Sequence, residues 1–123
     1  MAIHNEIGVK GEITAIEYLQ VKGYTILEIN WRFGRAEVDI IAKNNNTVIF
    51  VEVKTRSTDH FGFPEEAVDK AKQKNLAMAA DEYLEKNNIE MDVRFDIISI
   101  VVKNEQPEIH HIEDAFFPYD IEG

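Results

Sequence analysis

The run Glu37-Val38-Asp39-Ile40-Ile41-Ala42-Lys43-Asn44-Asn45-Asn46-Thr47-Val48-Ile49-Phe50-Val51-Glu52-Val53-Lys54-Thr55-Arg56 decides the fold. Two segments rich in Val, Ile and Phe, Ala36 to Lys43 and Thr47 to Thr55, flank a cluster of asparagines, and asparagine accepts the positive φ that tight turns need. This is the signature of a β-hairpin. A register that sets Asn44 against Thr47 and Lys43 against Val48 carries on to set Asp39 against Glu52, on a shared face. Strand alternation puts Glu52 and Lys54 on one side and Val53 on the other. Val48-Ile49-Phe50-Val51 is apolar at every position, so the second strand reads as central and covered on both faces until its polar end.

Working outward, a turn at Arg32 to Arg35 with Gly34 joins the hairpin to a strand over Tyr24 to Trp31. Before it, Asn5 to Lys22 reads as a helix with Gly8, Ala15, Ile16 and Leu19 on one stripe, Glu12 within that stripe, and Gly23 as the stop. Beyond the hairpin, Ser57 to Phe63 reads as a loop and Pro64 as the opening of a helix running to about Asn87. Val93 to Val102 reads as a buried strand and Glu108 to Ile112 as a weaker one, while 114–123 carries little signal. The order helix, strand, strand, strand, helix, strand, strand implies an α/β fold, a mixed sheet flanked by helices.

Composition narrows the class. A chain of 123 residues with 45% hydrophobic content supports a single domain over 1–123 built on one core. With no cysteine there is no disulfide, thiolate metal site or thiol nucleophile, and a reducing, cytoplasmic setting is expected. No basic cluster precedes an apolar run, and no stretch of about 18 apolar residues occurs, so neither a signal peptide nor a membrane span is expected. Thirteen basic against 23 acidic residues give a formal net charge of −10, unusual for a nucleic-acid binder. A basic face, or divalent cations gathered where the acids converge, would offset that charge.

The chemistry centres on Asp39, Glu52 and Lys54. A carboxylate and a lysine that continue so apolar a strand are costly there unless they serve a purpose. Two facing carboxylates repel unless a proton or a cation intervenes, and hard oxygen ligands without cysteine or paired histidines select Mg²⁺ or Mn²⁺. The Val53 carbonyl would add an oxygen and Glu12 an outer one. Lys54 would then activate the attacking water in phosphodiester hydrolysis.

Gly11-Glu12, Tyr18-Leu19, Gly23-Tyr24, Asn30-Trp31-Arg32, Glu37 to Ala42, Val51 to Arg56, Phe61-Gly62, Pro64 to Val68, Lys72, Arg94-Phe95-Asp96 and Ala115-Phe116 together resemble the bacterial YraN-like family. That family is similar to a branch of the PD-(D/E)XK nuclease superfamily, near the archaeal Holliday junction resolvases. The resemblance implies a restriction-endonuclease-like sheet and a Mg²⁺-dependent cut in DNA, including branched DNA. It assigns Asp39 and Glu52 as metal ligands, Lys54 as the catalytic lysine and Glu12 as the helix carboxylate. One departure stands out: Val38 takes the place of the eponymous proline before Asp39. Two symmetric cuts in a junction need two sites, which makes a homodimer the expected assembly.

Plainer roles compete at the periphery. Arg32, Arg35, Arg56 and His60 flank the proposed site and suit phosphate contacts that position DNA, or ordinary solvated loop charge. Lys72 and Gln73 either reach the site or serve as a snorkelling stem and a cap. Trp31, Phe61 and Phe63 read as core residues before stacking platforms. His110 and His111 are adjacent on a strand, point to opposite faces and receive no role, and Asp96 reads as a buried ion-pair partner. The alternative to an enzyme is a nucleic-acid-binding module of nuclease fold without turnover, and a third reading is a partner for another protein.

Overall fold

The computed structural model describes residues 3–56 and 68–117, with side chains from residue 10 onward. Helix α1 spans Ile3–Val21, strands β1 to β3 span Thr25–Phe33, Ala36–Asn44 and Thr47–Arg56, helix α2 spans Lys70–Lys86, and β4 and β5 span Asp92–Lys103 and Gln106–Ile112. The strands form one sheet in the order β1-β2-β3-β4-β5, antiparallel throughout except between β3 and β4. A parallel pair cannot be closed by a tight turn, and α2 is the crossover that joins it.

The hairpin forms in the expected register: Asn44 pairs with Thr47, Lys43 with Val48 and Ile40 with Val51, and Asn45 carries the left-handed φ of 56° at the turn. Buried residues on both faces of the central strands hold a helix each. On one face Val48, Phe50, Phe95 and Ile97 pack against Leu76, Ala79, Ala80 and Tyr83 of α2. On the other, Ile40, Ile49, Val51, Ile98 and Ile100 pack against Ala15 and Leu19 of α1. The one core expected is therefore divided into two layers by the sheet itself. Trp31 belongs to the α2 layer, edge-on to Tyr83 at 5.3 Å, which is the core role.

One boundary differs from the sequence reading. Asp69, extended at φ −74° and ψ 177°, is the N-cap of α2 and accepts from the Lys72 amide at 2.8 Å, so this helix begins at Lys70. A carboxylate acceptor at the N-cap satisfies amide donors that have no partner within the helix, and that local contact sets the start. Pro64, His60, Phe61 and Phe63 lie outside the described residues.

Gly11 sets how closely α1 approaches the sheet. A Cβ built there would stand 1.9 Å from Thr55 Oγ1 and 3.1 Å from Thr55 Cβ. Alanine would add up to about 1 kcal/mol of helix propensity at this position, but the clash requires α1 to lift from β3. Gly11→Ala is expected to lower unfolding free energy by about 1–2 kcal/mol. Thr55→Ala in the same chain should recover most of that loss, as read from urea denaturation midpoints.

Candidate active site

The carboxylates meet where β2 and β3 part. The backbone ladder ends at Ile40 and Val51, one step short of Asp39 and Glu52. From there Asp39 replaces a main-chain acceptor with its side chain, and its Oδ2 accepts from the Val53 amide at 2.8 Å. On the other flank, Asn30 falls between Ile29 and Trp31, which pair with Ile40 and Val38, so it stands across from Asp39. Asn30 holds a left-handed φ of 53° inside a strand, a conformation that breaks regular pairing and that asparagine tolerates better than most residues. Its side chain lies close enough to Glu12, on α1, to work against the rise of that acid.

Glu52 is buried, its side chain 7% exposed, yet carries two cations: Lys72 Nζ stands 3.0 Å and Lys54 Nζ 3.6 Å from the same Oε1. A helix that crosses back over the sheet begins near the end of the strand it follows, which is why the first turn of α2 delivers Lys72 to the end of β3. Burial opposes the charge on Lys72, but Glu52, by charge and by hydrogen bond, holds its ammonium above its ordinary value.

Asp39 and Glu12 are matched less well than Glu52. Burial, followed by the charge of Glu52 and then of Glu12, pushes Asp39 up to about 7 against the opposing hydrogen bond from Val53. Burial and the charges of Glu37 and Glu52 likewise raise Glu12, with Asn30 opposing. Glu12 Oε1 is buried with no hydrogen-bond partner among the described residues. Such an oxygen is costly to leave unmatched. Among the described residues no ready group of three or more His, Asp or Glu side chains stands together as a metal cage. The donor set nevertheless fits a hard cation: two carboxylates forced together, a third with an unmatched oxygen, and no soft ligand.

The raised value of Asp39 has a sign. In the unfolded chain this acid ionises near the ordinary carboxyl value of 3.8, whereas in the folded chain it holds its proton until about 7. Between those values the folded state binds more protons, so stability falls as pH rises through that window and levels off above it. Urea melts of the metal-free protein should show this decline, and Asp39→Asn should flatten it. A slope that persists in the variant would assign it to other groups.

Of the residues expected at the site, Lys54 and Lys72 stand on Glu52, Asp39 accepts from the Val53 amide, and Glu12 is near enough to Asp39 for their charges to repel. Gln73 does not reach the site: its Nε2 donates to Val68 O at 3.0 Å and braces the entry to α2. Arg32 pairs with Glu37 at 2.7 Å on the surface, Arg35 is exposed in the β1–β2 turn, and Arg56 is half-buried at the end of β3. Sequence reasoning gave Asn30 no role of its own, although an asparagine inside a strand was a signal that could have found it.

A second polar network lies on the α1 face of the sheet. Asp96, fully buried, accepts from Arg94 Nε at 2.8 Å, Arg94 Nη2 at 2.9 Å and the Asp114 amide at 3.0 Å, and contacts His111 Nε2 at 2.7 Å. His111 Nδ1 in turn lies 3.1 Å from Tyr18 OH on α1. Burial alone would raise Asp96, but His111, Arg94 and the Asp114 amide together hold it below its usual value. The expected ion pair is therefore present, and His111 points inward to it while His110 is exposed on the opposite face.

A five-stranded mixed sheet between two helices, with Asp39, Glu52 and Lys54 where the central hairpin opens, defines a PD-(D/E)XK nuclease-like fold. Comparison with known sequences places it further. The pattern described as Uncharacterised protein family UPF0102 matches residues 11–100, and the chain belongs to that family. It is 51% identical to a UPF0102 protein of Christiangramia forsetii over 95% of this chain and 98% of that relative. It is 48% identical to a UPF0102 protein of Bacteroides thetaiotaomicron over 96% and 98% of the two chains. No helix among the described residues is long and apolar enough to cross a membrane.

Proposed function

We propose that this chain is a divalent-cation-dependent endodeoxyribonuclease that hydrolyses phosphodiester bonds in DNA, with branched DNA among its substrates, and that it works in the cytoplasm as a homodimer. The observation that carries the proposal is the half-buried Asp39 set against the buried Glu52, beside Lys54 at the end of a central strand. Structural carboxylates in such a place would be matched by fixed donors. Here Asp39 has one fixed donor, the Val53 amide, against burial and the charge of Glu52, and Glu12 has an unmatched oxygen.

Asp39, Glu52, the Val53 carbonyl and Glu12 would hold Mg²⁺ or Mn²⁺. When bound, the cation supplies Lewis-acid stabilisation of charge on the scissile phosphate. Lys54, tethered beside Glu52, orients the attacking water and keeps an ammonium close to the phosphate as charge builds there. Asn30, beside Glu12, favours that carboxyl's charged form. Arg32, Arg35, Arg56 and Lys72 would meet backbone phosphates, contacts that position DNA without reading its sequence. Gln73 supports this group through the start of α2.

The deciding experiment offers labelled duplex, single-stranded, flap and four-way-junction DNA to the protein with Mg²⁺, with Mn²⁺, or with chelator. Cation-dependent cutting is expected. Binding that survives chelation without any cutting would identify a binding module of nuclease fold, and no binding even at low salt would point to a protein partner for the acidic surface.

A further inference from the structure

Two ammonium groups converge on one oxygen of Glu52, while Asp39 and Glu12 have no ion-pair partner among the described residues. The two lysines are attached differently. Lys54 belongs to the central strand β3, whereas Lys72 reaches in from the first turn of α2 with its side chain 37% exposed. The main chain at Lys72 is fixed by the Asp69 cap at 2.8 Å, so only its four-carbon stem need move for the ammonium to leave Glu52. An ion pair with this much solvent access is weak. A divalent ion carries twice the charge on a compact centre, and it satisfies Asp39 and Glu52 together, which a single ammonium does not.

Resting on the nuclease reading above, we propose that Lys72 is a displaceable internal cation that occupies Glu52 Oε1 until a divalent ion takes that oxygen, so that metal loading is set by competition with the protein's own lysine. Once displaced, the ammonium is released for the phosphate contact assigned to it. Lys54, farther from the oxygen, stays with the reacting group.

The test is a calorimetric titration of the full chain with Mn²⁺ alone, without DNA, for wild type, Lys72→Met, Lys72→Gln and Asp39→Ala. Removing the competitor should tighten Mn²⁺ binding about five- to tenfold in both Lys72 variants. Agreement between the methionine and glutamine variants, with helical circular dichroism retained, separates this effect from a folding defect in either one. Binding by the Lys72 variants where wild type shows none would support the proposal in its strongest form. If wild type binds and Asp39→Ala does not, but the Lys72 variants bind equally or more weakly than wild type, the competition is overturned while the metal site stands. If neither wild type nor the Lys72 variants bind Mn²⁺, the metal site and the competition fall together.

Discussion

Asp39→Ala is expected to reduce cation-dependent DNA cleavage by about 10³-fold, the range lost when a group that stabilises transition-state charge is removed. The carboxylate is one of the two forced together at the hairpin opening, and no other acid in the described site replaces it where β2 and β3 part. Because alanine also leaves the Val53 amide without its acceptor, the sharper companion is Asp39→Asn. Its amide oxygen can still accept that hydrogen bond, while the charge that repels Glu52 is gone. The asparagine variant should therefore be as inactive as the alanine one, yet at pH 8 melt at or above the wild-type temperature. Loss of activity with gain of stability is the pattern of a strained functional group. Cleavage by Asp39→Ala at the wild-type rate would show that the site is elsewhere.

The largest stability effect is expected in the network around Asp96, which pairs with Val51 of β3. Asp96→Ala removes a fully buried carboxylate from Arg94, His111 and the Asp114 amide at once. Removing one partner of a buried ion pair costs about 3–5 kcal/mol, because the remaining charge stays desolvated. For a domain of this size that lowers Tm by on the order of 15 °C. Asp96→Asn keeps an acceptor and should fall between the two. Calorimetric or denaturant midpoints within 1 kcal/mol of wild type for the alanine variant would mean that Arg94 and His111 find water instead.

The two networks show what a linear reading can reach. The hairpin was legible because its register follows from parity and from a turn only a few residues long, so Asp39 and Glu52 could be brought together from their spacing alone. Lys72 was legible as a residue that either reaches the site or snorkels, but its partner was not, because only the parallel crossover brings α2 over the end of β3. His111 depends on the pairing of β5 with β4, which sets it opposite Ile98 and over Asp96; nothing local to His110-His111 carries that register. The start of α2 was misplaced because Pro64 and Asp69 both suit a helix entry, and the Asp69 side chain makes the capping contact. Asn30 escaped because its backbone departs from the strand it belongs to.

That departure matters beyond the carboxylate it faces. Strand β1 is an outer strand of the sheet, and it carries a register shift between Ile26 and Glu28 as well as the left-handed Asn30. A free edge with a regular row of amides and carbonyls is a template on which another chain can pair and aggregate. Here two irregularities within a few residues interrupt that row. At the opposite border, Pro107 in β5 removes a donor from the other outer strand. The distortion across from Asp39 thus also blunts the sheet against edge-to-edge growth.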